Sequence, residues 1–557
     1  MNSVRHPLPG VIYPPKDRLE AYVANGELPT TSLVEELIAS LRRNADRPAL
    51  CTPGGVVTYR EFDEQTDRFA AALLASGLNP LDRVLFQAGN SPELVIALIG
   101  CLKAGLIPTC TLAAHRGLEI GYLGRHVDAR AHIVQGDDPK FDLVGFALAM
   151  REEIPTIRHV ISLRGEPREG TLQMERMIEQ TDAAAARAAI DLLPRDPFQV
   201  AIFQLSGGTT GVSKIIPRMQ NDYLLNARLT AETLGYRPDD IMFMPMPIIH
   251  NACMICFLMP TLLTGAAFVI AKDLTPEEWA RAFERTSPTV IGLIRALMPR
   301  LEGALELVPS AVETVRMFWS ADAARLLRAK YGKPAYAMFG MSEGLNMYCR
   351  EGDPDDALDW TVGRPLSRFD EVRLVVPGTS DPVLEDDEIG EMQCRGPYTL
   401  AGYYNAPERN REAFTPDGFY KSGDLLVRRT IEGKQYFAFA GRTKDVVDRG
   451  TEKINCEEVE GAVSTHPAVI GCAVVGMPDP VLGERVCAYI VPRAGAVPPG
   501  VPDLQEHLRT IGLAKFKWPE RVEVIEALPL TRVGKLDKAA LRSDIVERMK
   551  QQSVSAG

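Results

Sequence analysis

The run Ser206-Gly207-Gly208-Thr209-Thr210-Gly211-Val212-Ser213-Lys214 concentrates small residues, hydroxyls and a cation directly after the apolar stretch Val200 to Leu205. Glycines let main-chain N–H groups approach phosphate oxygens, while the hydroxyls and the lysine ammonium add donors and positive charge. Such a composition suits the holding of a phosphate chain. It is not a Walker A loop, because Val212 follows Gly211 and Ile215 follows Lys214. Taken alone, it would also serve as a polar turn. A second candidate, the C-x-x-C pair Cys253 and Cys256, has apolar neighbours and no second pair or histidine to complete a zinc set. Metal or redox chemistry is therefore not expected there.

These groups need a large scaffold. A chain of 557 residues is too long for one ordinary core, so at least two independently packed units are expected. Hydrophobic and charged fractions of 46% and 24% are those of a folded globular protein, which removes the disordered and collagen-like classes. A net charge of -11 argues against a surface devoted to nucleic acid, although an anionic protein can still hold a nucleotide in a locally positive cleft. Met1 to Arg18 lacks the apolar core of a signal peptide, and the most apolar long stretch, Leu94 to Leu112, is interrupted by Lys103 and Pro108. A buried helix followed by a strand is expected there, in a cytoplasmic protein without a membrane anchor. The ten cysteines show no secreted-domain spacing, so free thiols are expected.

Runs rich in Val and Ile alternate with helix-period segments, as at Arg83 to Phe86, Leu94 to Ala104 and Thr289 to Ile294. That alternation predicts an α/β architecture with mixed or parallel sheets. After Gly441-Arg442-Thr443-Lys444-Asp445 a compact pattern begins again, with a helix expected over Asn455 to Thr465 and a strand over Val469 to Gly476. The expected division is 1–444 and 445–557, the second part a small α+β domain.

Four further motifs follow the glycine-rich loop: Phe339-Gly340-Met341-Ser342-Glu343, Tyr420-Lys421-Ser422-Gly423-Asp424, Gly441-Arg442-Thr443-Lys444-Asp445 and Pro529-Leu530-Thr531-Arg532-Val533-Gly534-Lys535. Together, and in this order, they resemble the adenylate-forming superfamily of acyl-CoA synthetases, nonribosomal peptide synthetase adenylation domains and luciferases. The resemblance covers nearly the whole chain. It implies a large N-terminal domain carrying the ATP and acid sites and a small mobile C-terminal domain. It further implies that Lys535 reaches the substrate carboxylate and the α-phosphate, and that Glu343, with Thr210, holds Mg²⁺ beside the ATP phosphates. Asp424 and Arg442 are expected near the ribose, Phe339-Gly340-Met341 at adenine, and Asp445 at the hinge of domain rotation. Arg449 and Gly450 would face the incoming thiol, although Thr451 replaces the second glycine of that loop. A carboxylate attacking a phosphate brings anion to anion, so a site that neutralises charge and aligns the two reactants is required.

Met246-Pro247-Ile248-Ile249-His250-Asn251, together with Phe203 to Gly208, Asn221-Asp222-Tyr223 and Arg395 to Thr399, resembles the branch that activates 2,3-dihydroxybenzoate or salicylate. The resemblance implies an aryl pocket at His250, Asn251, Cys256 and Asn346, with Asn251 at the substituent ortho to the carboxylate. By its own turn propensity, Asn251 would equally suit a loop cap. Cys256 stands where salicylate enzymes have Cys and dihydroxybenzoate enzymes Ser. Asn346 departs from the Val or Leu of the branch and puts an amide beside the ring, which makes anthranilate the first expectation and salicylate the second. Val315-Arg316-Met317, ahead of Phe318-Trp319-Ser320, departs from the branch's Gly-Gly-Ala strand. The acceptor is expected to be CoA or the phosphopantetheine of a separate carrier protein, and a homodimer is compatible with the reading. The alternatives are a 2,3-dihydroxybenzoate- or salicylate-AMP ligase loading a carrier, a non-catalytic ATP-binding member of the fold and a luciferase-like oxygenase.

Overall fold

The computed structural model describes residues 3–205, 213–442, 445–449, 452–480, 482–511, 513, 515–531 and 536–555. Two large sheets organise the chain up to residue 365. The first runs, in spatial order, through Leu172–Gln173, His159–Leu163, Ala131–Gln135, Arg83–Gln87, Ile107–Thr109, Val200–Leu205 and Ile215–Met219. Only its last pair is antiparallel. The second has a parallel centre from Ala335–Gly340 across to Pro48–Thr52, with antiparallel strands at both ends. Strands buried on both faces read as near-continuous apolar runs, as Val200–Leu205 does apart from Gln204, whereas the equally buried Ile215–Met219 carries Arg218.

Helices Tyr59–Ala75, Pro92–Lys103 and Gln220–Thr233 contribute to the largest hydrophobic core cluster, which takes residues from both sheets. Pro92–Lys103 begins where the Ser91 side chain accepts from the Leu94 N–H, with proline in the first turn, and it is apolar on nearly every face because it is buried all round. The helix and strand expected between Leu94 and Leu112 are found at Pro92–Lys103 and Ile107–Thr109. No helix among the described residues is long and apolar enough to cross a membrane.

A four-stranded antiparallel sheet follows, from Glu371–Val375 to Lys434–Arg442. Among the described residues, the strands after Asp445 pair with one another, with Gly483–Pro492 between Val469–Asp479 and Arg521–Val524. The helix expected at Asn455 to Thr465 is Cys456–Val463. Of the segment that departs from Gly-Gly-Ala, Val315 caps the short helix Ala311–Thr314 and Met317 opens the strand Met317–Ser320, paired on both sides within the second sheet, where Phe318 and Trp319 are buried.

One charge cluster is buried within this frame. Lys103 Nζ lies 2.6 Å from both Asp63 Oδ1 and Asp67 Oδ1, and Arg187 also pairs with Asp63. Removing one member of a buried ion pair leaves an uncompensated charge. Lys103→Met is expected to lower stability by about 3–5 kcal/mol, measurable as a reduced denaturant midpoint.

Candidate active site

A single β-hairpin places Phe339, Gly340, Met341, Glu343 and Asn346. Ala335–Gly340 pairs antiparallel with Asn346–Tyr348, Gly340 directly opposite Asn346. The turn between them carries Glu343 and is closed by Met341 N–H to Leu345 O at 3.1 Å. Gly344 has a φ of +137°, and a Cβ there would meet the carbonyl oxygen of Tyr398, so the position admits only glycine. Leu400 N–H donates to Glu343 O at 2.7 Å, which fixes the turn from its other side.

The Glu343 carboxylate is buried against phenols. Its Oε1 accepts from Tyr403 Oη at 2.8 Å and from Tyr420 Oη at 3.2 Å, and the two phenol oxygens are 2.8 Å apart. Burial, reinforced by the nearby Glu343 charge, raises the pKa of both tyrosines well above the usual phenol value, so both keep their protons to donate. Lys214 Nζ donates to Tyr403 Oη at 3.2 Å and lies 4.7 Å from the centre of that ring. Leu205 pairs with Ile215 in the antiparallel ladder, and Lys214, next to that pair, reaches the phenol that holds Glu343. Ser206, Gly207, Gly208, Thr209 and Thr210 lie outside the described residues, as do Gly450 and Lys535.

Phe339 stacks on Phe439, ring centres 5.7 Å apart at 30°. Asp424 and Arg442 are opposite each other on neighbouring strands and form an ion pair, Nε to Oδ1 3.0 Å, with Asp424 buried and Arg442 exposed. Asp445 and Arg449 are engaged elsewhere. Arg542 donates to Asp445 Oδ1 at 2.6 Å, and Arg449 donates to Glu520 Oε1 at 2.9 Å. Neither reaches the Glu343 cluster.

Behind the hairpin, helix Gln220–Thr233 and the helical run 251–264 bury a second polar set. The run contains a π turn at Met254–Leu258, and the wide turn leaves Cys256 O to accept from Tyr236 Oη at 3.1 Å. Gln204 Nε2 donates to Tyr223 Oη at 3.2 Å, and Tyr223 donates onward to Asn251 Oδ1 at 2.8 Å. This directed chain leaves the Asn251 N–H as the group the amide can offer. The helix cap is made by His250, whose Nδ1 accepts from the Ala252 N–H at 3.2 Å, so Asn251 is not the cap. Tyr348 Oη donates to Cys256 Sγ at 3.0 Å, and burial raises that thiol pKa to about 12, leaving it a neutral weak acceptor. Cys253 is likewise buried with its pKa raised. Asn346 Nδ2 donates to Asn226 Oδ1 at 3.0 Å, and Asn346 Oδ1 lies against the space beside Gly340.

Sequence reasoning singled out Asn251, Cys256 and Asn346; it quoted Gln204 and Tyr223 within motifs without giving them a role, and missed Asn226 and Tyr348, which hold Asn346 and Cys256. It also missed Tyr403 and the fully buried Arg218, which donates to Asp222 Oδ1 at 3.0 Å and to Ser342 O at 3.2 Å beside the Glu343 turn. The available signal was a stripe of polar residues, Tyr223, Asn226 and Thr230, at helical spacing in a helix whose surroundings are apolar.

A family model described as AMP-binding enzyme matches residues 37–404, and one described as AMP-binding enzyme C-terminal domain matches residues 458–535. Triostin synthetase I of Streptomyces triostinicus is 39% identical to this chain over 511 residues, covering 90% of this chain and 92% of that one. Salicyl-AMP ligase / salicyl-S-ArCP synthetase of Mycobacterium tuberculosis is 36% identical over 546 residues, covering 96% and 94% respectively. The apo structure of MbtA from Mycobacterium smegmatis is similar with a TM-score of 0.71 and 33% identity, covering 96% of this chain and 98% of the other.

Replacing Tyr223 by Phe would take from the buried Asn251 Oδ1 the phenol that donates to it, and would leave Gln204 Nε2 with the weak acceptor Met254 Sδ at 3.4 Å. The expected cost is about 2 kcal/mol, read from urea unfolding of the variant beside the parent. An unchanged midpoint would show that this chain of hydrogen bonds does not hold Asn251.

Proposed function

The chain belongs to the AMP-binding enzyme family, and we propose that it is an ATP-dependent ligase that converts an ortho-substituted benzoate to its aryl adenylate with release of pyrophosphate, then transfers the aryl group to a thiol. One observation carries this reading. A buried set of amides, a phenol and a thiol lies behind the same hairpin that bears Phe339, Gly340, Met341 and Glu343. An alkyl chain would find no use for those polar groups, whereas a substituted ring would.

The roles follow from the chemistry each group can supply. Asp424, held by Arg442, can accept from ribose hydroxyls, and Phe339 can pack on adenine from the face opposite Phe439. The loop Ser206 to Thr210, with Lys214, is the proposed phosphate cradle. Glu343 Oε1 is held by the phenols, while Oε2 makes no hydrogen bond among the described residues, and a hard carboxylate oxygen in that position suits Mg²⁺. The ion would neutralise phosphate charge when bound with ATP. Lys535 is the proposed cation at the reacting carboxylate. Asp445 is the proposed hinge, and Arg449 with Gly450 the thiol-side loop.

Two ortho substituents compete. Asn346 has given its N–H to Asn226, so its carbonyl oxygen is available to the amino group of anthranilate. A second reading, salicylate, is favoured by a specific observation: Tyr223 occupies the Asn251 carbonyl, leaving an N–H suited to a hydroxyl oxygen. The thiol is taken to be that of CoA, with the phosphopantetheine of a carrier protein as the alternative, which the mycobacterial salicyl-S-ArCP synthetase favours by its name.

ATP–pyrophosphate exchange with anthranilate, salicylate, benzoate, 2,3-dihydroxybenzoate and a medium-chain fatty acid tests the reading. At least one ortho-substituted benzoate is expected to exceed the fatty acid, and preference for the fatty acid would overturn the aryl assignment. Lys535→Ala is expected to lower adenylate formation roughly 100- to 1000-fold while largely sparing transfer from supplied aryl adenylate. Equal losses in both half-reactions would contradict its role.

A further inference from the structure

Asn226 belongs to no motif of the sequence, yet its surroundings are those of a group built to meet a ligand. Its side chain is fully buried in the middle of helix Gln220–Thr233, one turn from Tyr223. Its Oδ1 is committed to Asn346 Nδ2 at 3.0 Å, which fixes the orientation of the amide. Its own Nδ2 has no hydrogen-bond partner among the described residues. A buried donor without an acceptor is costly, and a simple tie between helix and strand would be served without one. Asn346, which holds it, sits opposite Gly340, and on the same strand Tyr348 reaches Cys256. The orphan donor therefore lies within the polar set assigned above to the aromatic ring.

From this geometry we infer that Asn226 is a specificity-determining residue, donating from Nδ2 to a hydrogen-bond acceptor carried on the ring of the bound acid. The inference rests on the ligase reading. It narrows the substrate class to aromatic carboxylic acids with an acceptor on the ring edge that faces helix Gln220–Thr233, either a ring nitrogen or a hydroxyl or carbonyl oxygen. That acceptor is additional to the group met by Asn251. The two amides approach from different elements, Asn251 from the start of the helical run 251–264 and Asn226 from helix Gln220–Thr233, so they address different ring positions. An acid that offers only a donor, or only C–H, at the Asn226 position leaves the amide unpaired and is disfavoured.

The test uses isosteres. Benzoate is compared with the three pyridinecarboxylates, in which one ring C–H becomes a nitrogen, and with the three monohydroxybenzoates and anthranilate, by pyrophosphate exchange in the full chain. At least one ring-nitrogen or hydroxyl acid is expected to exceed benzoate by roughly 10- to 100-fold in kcat/KM. The nitrogen and hydroxyl series separate the two sources of the acceptor.

Asn226→Ala should bring that acid to within about threefold of benzoate, the two acids being compared as a ratio within the same variant. Asn226→Asp keeps an oxygen for Asn346 but replaces the donor, so it should also lose the preference. Thermal melts establish that each variant folds, and the aspartate variant serves if the alanine variant does not. If no acceptor-bearing acid exceeds benzoate in the parent, or if both series rank identically in parent and folded variants, the inference is overturned while the ligase reading stands. If no acid in the set supports exchange, the ligase reading falls and the inference falls with it.

Discussion

The hydrogen bond from Tyr223 to Asn251 is the contact on which the interior of this site depends. Both groups are buried, and a buried polar atom must be satisfied or its cost of desolvation is borne by the fold. Gln204 supplies the donor that sets the direction of the chain, so strand Val200–Leu205, helix Gln220–Thr233 and the run 251–264 are joined through a line of polar atoms inside an apolar core. The consequence is chemical as well as structural. With its carbonyl held, Asn251 has an N–H to present, and the orientation is decided before any ligand arrives.

The hairpin of Ala335–Gly340 and Asn346–Tyr348 couples the two halves of the proposed reaction. Its turn offers Glu343, steadied by Tyr403 and Tyr420, at the phosphate side. Its second strand offers Asn346 and Tyr348 at the ring side. Because Gly340 faces Asn346 across the ladder, a shift of one residue in register would move both ends together. Adenylation requires a carboxylate and a phosphate in line, and a rigid two-stranded ribbon between their binding regions is a direct way to fix that distance.

Much of the architecture was legible because it is local. Alternating apolar runs and capped helices led to the sheets, as at Arg83–Gln87 and Pro92–Lys103, and the five motifs carry their meaning in short spacings. The pocket was legible only in part. Asn251, Cys256 and Asn346 were visible as residue types at motif positions, but Tyr348 lies 92 positions from Cys256 and Asn226 lies 120 from Asn346, separations that local pattern does not bridge. Tyr403 reaches Glu343 over a similar gap, 60 positions. Val315-Arg316-Met317 departed from a glycine-rich pattern, and it leads into the strand Met317–Ser320, paired on both sides within the second sheet.

The most direct measurement is a crystal structure of the chain with a non-hydrolysable aryl adenylate. The ring is expected between helix Gln220–Thr233 and strand Asn346–Tyr348, with the Asn251 N–H on its ortho substituent and the phosphate-mimicking linker beside Lys214 and the Glu343 turn. A ring bound away from Asn251, with the Gln204–Tyr223–Asn251 chain unchanged around it, would contradict the assignment of this polar interior to the acid.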